Sequence, residues 1–127
     1  MSETIIAIRN KDIINAYFDS IKCVHNINPL ATWREIIEHT SKKSAPRFYA
    51  TFENSRRFIS LMNRGLDIPI SNTNKISMYN EIYKRFTERG GGDRYVILRD
   101  ILEEEAPSFY LSFWEMYQVI YKSLRKK

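Results

Sequence analysis

Cysteine, glycine and proline are scarce in this chain: one, four and four among 127 residues. A lone Cys23 excludes an internal disulfide framework and fits a reducing, cytoplasmic setting. So few turn-formers leave little room for a β-sandwich of many short strands. No apolar run approaches the roughly 20 residues of a membrane-spanning helix, so no membrane partner is expected. Residues 1–9 show neither the basic leader nor the apolar stretch of a secretory signal. Catalytic signatures are missing as well. There is no Walker lysine pattern, no readable Ser-His-Asp arrangement and no paired carboxylates. Cys23, His25 and His39 do not have a metal-ligand spacing. The expectation is a protein that is not an enzyme and needs no metal or cofactor.

Aromatic residues are plentiful by contrast: eight Tyr, seven Phe and two Trp. Large rings bury much area per residue, so a small domain can build a firm core from them. The formal charge is +5 and is unevenly spread. Residues 1–65 carry ten Lys/Arg against six Asp/Glu, while residues 66–127 carry ten against nine. The excess sits in the first half and in the tail Arg125-Lys126-Lys127, and it favours polyanionic partners.

One phrase occurs twice. SAPRFYATF (44–52) and EAPSFYLSF (105–113) align at an offset of 61. Ala45, Pro46, Phe48, Tyr49, Phe52 and Ile59 match Ala106, Pro107, Phe109, Tyr110, Phe113 and Ile120. Upstream, Ile36 and Ile37 fall on Ile97 and Leu98. Further upstream the offset becomes 65, and Ile14, Tyr17, Phe18 and Ile21 fall on Tyr79, Ile82, Tyr83 and Phe86. The length change lies between KCVHNINPLA (22–31) and TERGGG (87–92), where a loop absorbs it.

Each block has a helical period. Ile13, Ile14, Tyr17, Phe18, Ile21 and Val24 form one stripe. Thr32 with Glu35 is a capping-box pattern before Trp33, Ile36, Ile37 and Thr40. Pro46 ends that helix, Thr51 caps the next, and Gly65 stops it. The second block repeats the plan: a helix near 75–88, a stop at Gly90-Gly91-Gly92, and a cap at Asp93. Pro107 interrupts, and Ser112 with Glu115 opens a last helix bearing Phe113, Met116, Ile120 and Leu124. The expected fold is all-α: two tandem three-helix units, 1–65 and 66–127, related by internal duplication and helix-turn-helix-like. Residues 63–75 join them. Residues 4–8 read as a strand or an extended arm. A-P-x-F-Y reads as a corner whose Phe-Tyr pair plugs the space among three helices.

The phrase Ala45-Pro46-Arg47-Phe48-Tyr49, echoed at Ala106-Pro107-Ser108-Phe109-Tyr110, resembles small helical proteins of Bacteroidales phages and mobile elements. The resemblance implies such a setting and no activity. Ser108 departs from the phrase where the first block has Arg47, so a role for that arginine does not carry to the second block.

Two surfaces follow from the helical faces. The outer side of residues 51–64 presents Arg56, Arg57 and Arg64, with Lys42, Lys43 and Arg47 preceding it. These six are the expected DNA contacts, in the manner of a recognition helix. The matching side of the last helix presents Trp114, Gln118, Tyr121 and Arg125. Two large rings where water is expected point to a protein partner or self-association. A continuous cationic patch favours DNA; scattered charge beside exposed rings favours a protein partner. Lys84, Arg85, Arg89 and Arg94 are further candidates to line a phosphate backbone. Glu103, Glu104 and Glu105 sit against the dipole of a helix C-terminus and call for a basic partner or a solvated end.

Overall fold

Thr4 decides where the chain becomes regular. Its Oγ1 accepts the Ala7 N–H at 3.1 Å, capping a helix that starts at Ile5. Residues 4–8 are therefore neither strand nor arm. The β-branched run Ile5-Ile6 reads as strand-forming, but one hydroxyl satisfying an orphan amide outweighs it. The computed structural model describes residues 4–125. Lys126 and Lys127 of the basic tail lie outside them. The helices are α1 (Ile5–Ile27), α2 (Trp33–Ser41), α3 (Phe52–Asn63), α4 (Thr73–Glu88), α5 (Arg94–Leu102) and α6 (Phe113–Arg125). The protein is all-α, with no strand among the described residues.

The caps are local chemistry. Thr51 Oγ1 accepts the Asn54 N–H at 3.2 Å. Asp93 Oδ1 takes the Tyr95 N–H at 2.9 Å. Ser112 and Glu115 form the reciprocal box, each backbone N–H bonding the other's side chain at 3.1 and 3.2 Å. Gly65, at φ 71°, closes α3. Its N–H reaches the Met62 carbonyl and the Leu66 N–H reaches that of Leu61, both at 3.0 Å, which is a Schellman ending.

Helix partnership departs from chain order. One compact unit holds α1, α2 and α6, with the chain up to Ala45 and from Ala106 onward. The other is Pro46–Glu105 and holds α3, α4 and α5. The division at 65/66 is thus replaced by cuts at 45/46 and 105/106. The apolar period shows which face a helix buries, not which helix covers it. Nor is A-P-x-F-Y a tight corner. The chain has no regular structure from Phe48 to Thr51 and from Ser108 to Ser112, so several residues separate each proline from the next helix.

Pro46 and Pro107 explain the crossing. Proline drives the residue before it out of helical geometry and towards extended backbone. Ala45 and Ala106 pair as an isolated antiparallel bridge. The Ala45 N–H donates to the Ala106 carbonyl at 2.9 Å, and the reverse bond is 2.8 Å. Both alanines are buried.

In the first unit Ile13, Ile36, Ile37, Phe109, Met116 and Ile120 are buried. In the second, Phe48, Phe58, Ile59, Ile82, Leu98 and Ile101 are. Each such side chain contributes about 1.5–3 kcal/mol by leaving water. Phe48 also donates its N–H to the Leu102 carbonyl at 3.1 Å. The tyrosines of the phrase are only half-buried, so the phenylalanines do the plugging. Tyr110 takes φ 56°, with Ser108 Oγ accepting its N–H at 3.0 Å. This gives Ser108 a local role that Arg47 does not have; Arg47 Nε instead donates to the Phe48 carbonyl at 3.2 Å.

The acidic end of α5 has its basic partners in its own unit. Glu104 accepts from Arg89 Nη2 at 2.7 Å and from Arg85 Nη1 at 3.2 Å. Arg85 also donates to Glu81 at 2.8 Å and to the Glu105 carbonyl at 2.9 Å, while its guanidinium covers the Phe48 ring. The bond from Arg89, helped by the charges of Arg89 and Arg85 against some burial, holds the Glu104 carboxyl below the usual range.

Two outcomes are expected. Phe48→Ala and Phe109→Ala should each lower unfolding free energy by about 3–5 kcal/mol in denaturant melts. Tyr49→Ala and Tyr110→Ala should each cost less; equal losses would contradict the packing. Glu104→Gln should lower the melting temperature at neutral pH. Because folding depresses the Glu104 pKa, its stabilisation is complete above the unfolded carboxylate value of about 4.3. It fades as pH falls from there through the lowered folded value. The gap between wild type and Glu104→Gln should therefore close over that acid range, and a gap that persists at pH about 2 would refute the ion-pair account.

Candidate functional site

The quartet predicted on α6 is exposed: Trp114 by 55%, Tyr121 by 50%, and Gln118 and Arg125 with them. Three of the four share a surface. Trp114, Tyr117 and Tyr121 follow at i, i+3 and i+7, one side of a helix. Tyr117 stacks on Tyr121 at 5.8 Å and meets Trp114 edge-on at 5.7 Å. Trp33 of α2 joins at 5.1 Å from Tyr117. Arg125 lies 5.9 Å from the Tyr121 ring centre. Arg34 lies 5.2 Å from Trp33 and 5.8 Å from Trp114. Gln118 leaves this face and lines a polar groove with Arg9, Asn10 and Lys122.

Trp33, Tyr117 and Arg34 were not among the residues expected here. The i, i+3, i+7 spacing from Trp114 is the signal for Tyr117. Trp33 reads as part of the inner stripe of α2, yet it is 44% exposed while Ile36 and Ile37 are buried. Beside the rings an open groove of about 250 Å³ runs between α2 and α6. Ile37 and Ile120 form its floor, Tyr17 and Leu124 its edges, and no carboxylate lines it.

The six expected DNA contacts divide between the units. Lys42 and Lys43 follow α2 in the first; Arg47, Arg56, Arg57 and Arg64 belong to the second. The four arginines diverge further. Arg47 is half-buried against the Phe48 carbonyl. Arg57 lies over the Phe58 ring at 5.0 Å, and Phe58 meets Tyr79 edge-on at 4.7 Å. Burial raises the Tyr79 pKa above its ordinary value, while Arg57 and a hydrogen bond with Asn54 oppose the rise. Arg56 and Arg64 instead line a groove between α3 and α5 together with Arg94. Arg56 pairs with Glu53 at 3.2 Å, an exposed contact worth at most about 1 kcal/mol. Arg85 and Arg89 are committed to Glu104, and Arg94 donates to the Arg89 and Phe86 carbonyls at 2.7 and 3.1 Å.

His39 Nδ1 lies 3.0 Å from Ser20 Oγ, but Ser20 is fully buried, so the pair joins α1 to α2 and offers no substrate access. Cys23 is exposed and free. Among the described residues no three His, Cys, Asp or Glu side chains are grouped to hold a metal ion. No helix among them is long and apolar enough to cross a membrane. Comparison of the chain with protein-family models, curated proteins and solved structures returns no match.

Proposed function

We propose that the protein is a non-catalytic adaptor whose aromatic face on α2 and α6 docks an amphipathic, acid-flanked helix of another protein. The observation that carries this reading is the ring cluster Trp33, Trp114, Tyr117 and Tyr121, half open to water and topped by two arginines. Aromatic residues and arginine dominate binding hot spots because they bury much area and still form polar contacts. A helix seated in a groove needs an apolar floor for anchors at i, i+3/4 and i+7, which Ile37 and Ile120 supply. Neither Arg34 nor Arg125 has an ion-pair partner among the described residues, so carboxylates flanking the guest are complementary.

Both tryptophans of the chain stand on this face, so intrinsic fluorescence reads docking directly. A Leu-faced helical peptide with Glu flanks should shift the emission, and the Lys-flanked version should bind more weakly. Tyr121→Ala should weaken the acidic peptide by about tenfold or more. Equal binding of both peptides, or concentration-dependent dimerisation lost in Trp114→Ala, would overturn the acidic-helix partner.

Duplex DNA binding through α3 is the second reading, favoured by Arg56, Ser60, Asn63 and Arg64 lining one groove. It predicts salt-sensitive binding, with the double variant Arg56→Ala/Arg64→Ala reducing the salt slope by about two. An unchanged slope, or no binding at low salt, removes it.

A further inference from the structure

The groove between α3 and α5, whose polar rim favours the duplex-DNA reading, also has an apolar floor that phosphate-backbone contact does not require. Its volume is about 370 Å³, and Ile59, Phe86 and Leu98 make an apolar floor. Tyr95 forms a wall and is 57% exposed. Every charged residue lining it is an arginine: Arg56, Arg64 and Arg94. Ser60 and Asn63 complete the lining. An apolar floor beside a ring that packs on Phe52 at 5.8 Å and is still half open to water suits a planar heterocycle, and guanidiniums without a lining carboxylate suit a phosphate.

We infer that this groove is a site for a single nucleotide. The size sets the scale, because about 300–1,000 Å³ is the range of small-ligand pockets and too little for a duplex. The base stacks against Tyr95 over the apolar floor. Arg56, Ser60 and Arg64 follow at i, i+4 and i+8 on one side of α3, so both guanidiniums close on a phosphate seated at Ser60. Arg64 has no side-chain partner among the described residues, and Arg56 gives up only its exposed contact with Glu53. Arg94 is held in place: its guanidinium lies 3.9 Å from the Phe86 ring centre and is tied to two carbonyls. It offers positive charge with little ordering cost. Asn63 Oδ1 accepts the Tyr83 hydroxyl at 2.9 Å, which orients the amide and leaves its N–H donors for a base edge.

Free nucleotides and strand ends share this chemistry, so the test separates them. The full chain, labelled with nitrogen-15, is titrated by NMR with adenosine 5′-monophosphate, adenosine, inorganic phosphate and a 5′-phosphorylated single-stranded hexathymidine. The monophosphate should shift amides of α3 near Ile59–Arg64 and of α5 near Tyr95–Leu98, and bind more tightly than adenosine or phosphate alone. Arg64→Ala should weaken it by about tenfold, as expected for one charge-assisted hydrogen bond. Tyr95→Leu should weaken it by at least about fivefold while keeping an apolar neighbour for Phe52. Tighter binding of the hexamer assigns the site to strand ends, and tighter binding of the monophosphate to free nucleotides. Equal affinity for phosphate alone, shifts confined to α6, or no shift at millimolar monophosphate would each overturn the site. Shifts in α3 and α5 report this groove, whereas shifts in α6 report the aromatic face, so failure of one reading is distinguishable from failure of the other.

Discussion

Two hydrogen bonds between two alanines determine where the third helices go. Ala45 and Ala106 each donate to and accept from the other at 2.9 and 2.8 Å. A proline follows each, making extended geometry the low-energy choice. The two bonds lie in a place closed to water, where an unpaired amide or carbonyl would be costly. Both methyl groups are buried, so a larger side chain would have to displace the neighbours packed on it. Beyond this crossing α3 packs with α4 and α5, and α6 with α1 and α2. Positions that match in the sequence have matching surroundings: Phe48 and Phe109 are both buried, as are Ile59 and Ile120.

What was legible in the sequence was what neighbours in the chain decide. Thr51, Asp93 and Ser112 with Glu115 are caps because a side-chain oxygen reaches an amide two or three residues on, which spacing alone reveals. Gly65 ends α3 because a positive φ costs glycine nothing. Helix partnership is a long-range property and left no local mark. The apolar stripes of α3 and α6 are equally compatible with either set of neighbours. The same limit applies to the six residues expected to contact DNA. Lys42 and Lys43 precede Arg47 in the chain, but the crossing at Ala45 puts them in different units. Trp114 and Tyr121 were readable as exposed because a polar face was due there. Trp33 was not, since the first turn of a short helix can show its ring to water while the next turn is buried.

The arginines illustrate how charge count and available charge differ. Arg85 and Arg89 neutralise Glu104, which offsets the unfavourable placement of a carboxylate at the end of α5. Arg94 closes the loop before α5 on backbone carbonyls. Arg47 ties down the carbonyl of Phe48. These four support the fold. Arg34, Arg125 and Arg64 have no ion-pair partner among the described residues, and they border the two apolar grooves. A cation beside exposed apolar surface is less hydrated than one in open water, so its attraction for an incoming anion is stronger. Recognition is therefore expected at these few positions and not across the +5 net charge as a whole.

The crossing also explains why α3 and α6 carry the distinct surfaces. Their inner faces are constrained, since Ile59 and Ile120 are buried in units whose other two helices come from the other half of the chain. Their outer faces have no such constraint, and there the two helices differ in sequence. Arg57, Ser60 and Arg64 on one helix correspond to Gln118, Tyr121 and Arg125 on the other. Changing an exposed polar residue to an aromatic one shifts stability little, usually within about 0.5 kcal/mol, so binding chemistry can diverge while the crossing and the cores are retained. An outer face that does not serve packing can change its chemistry without loss of the core, and here one such face is cationic and the other aromatic.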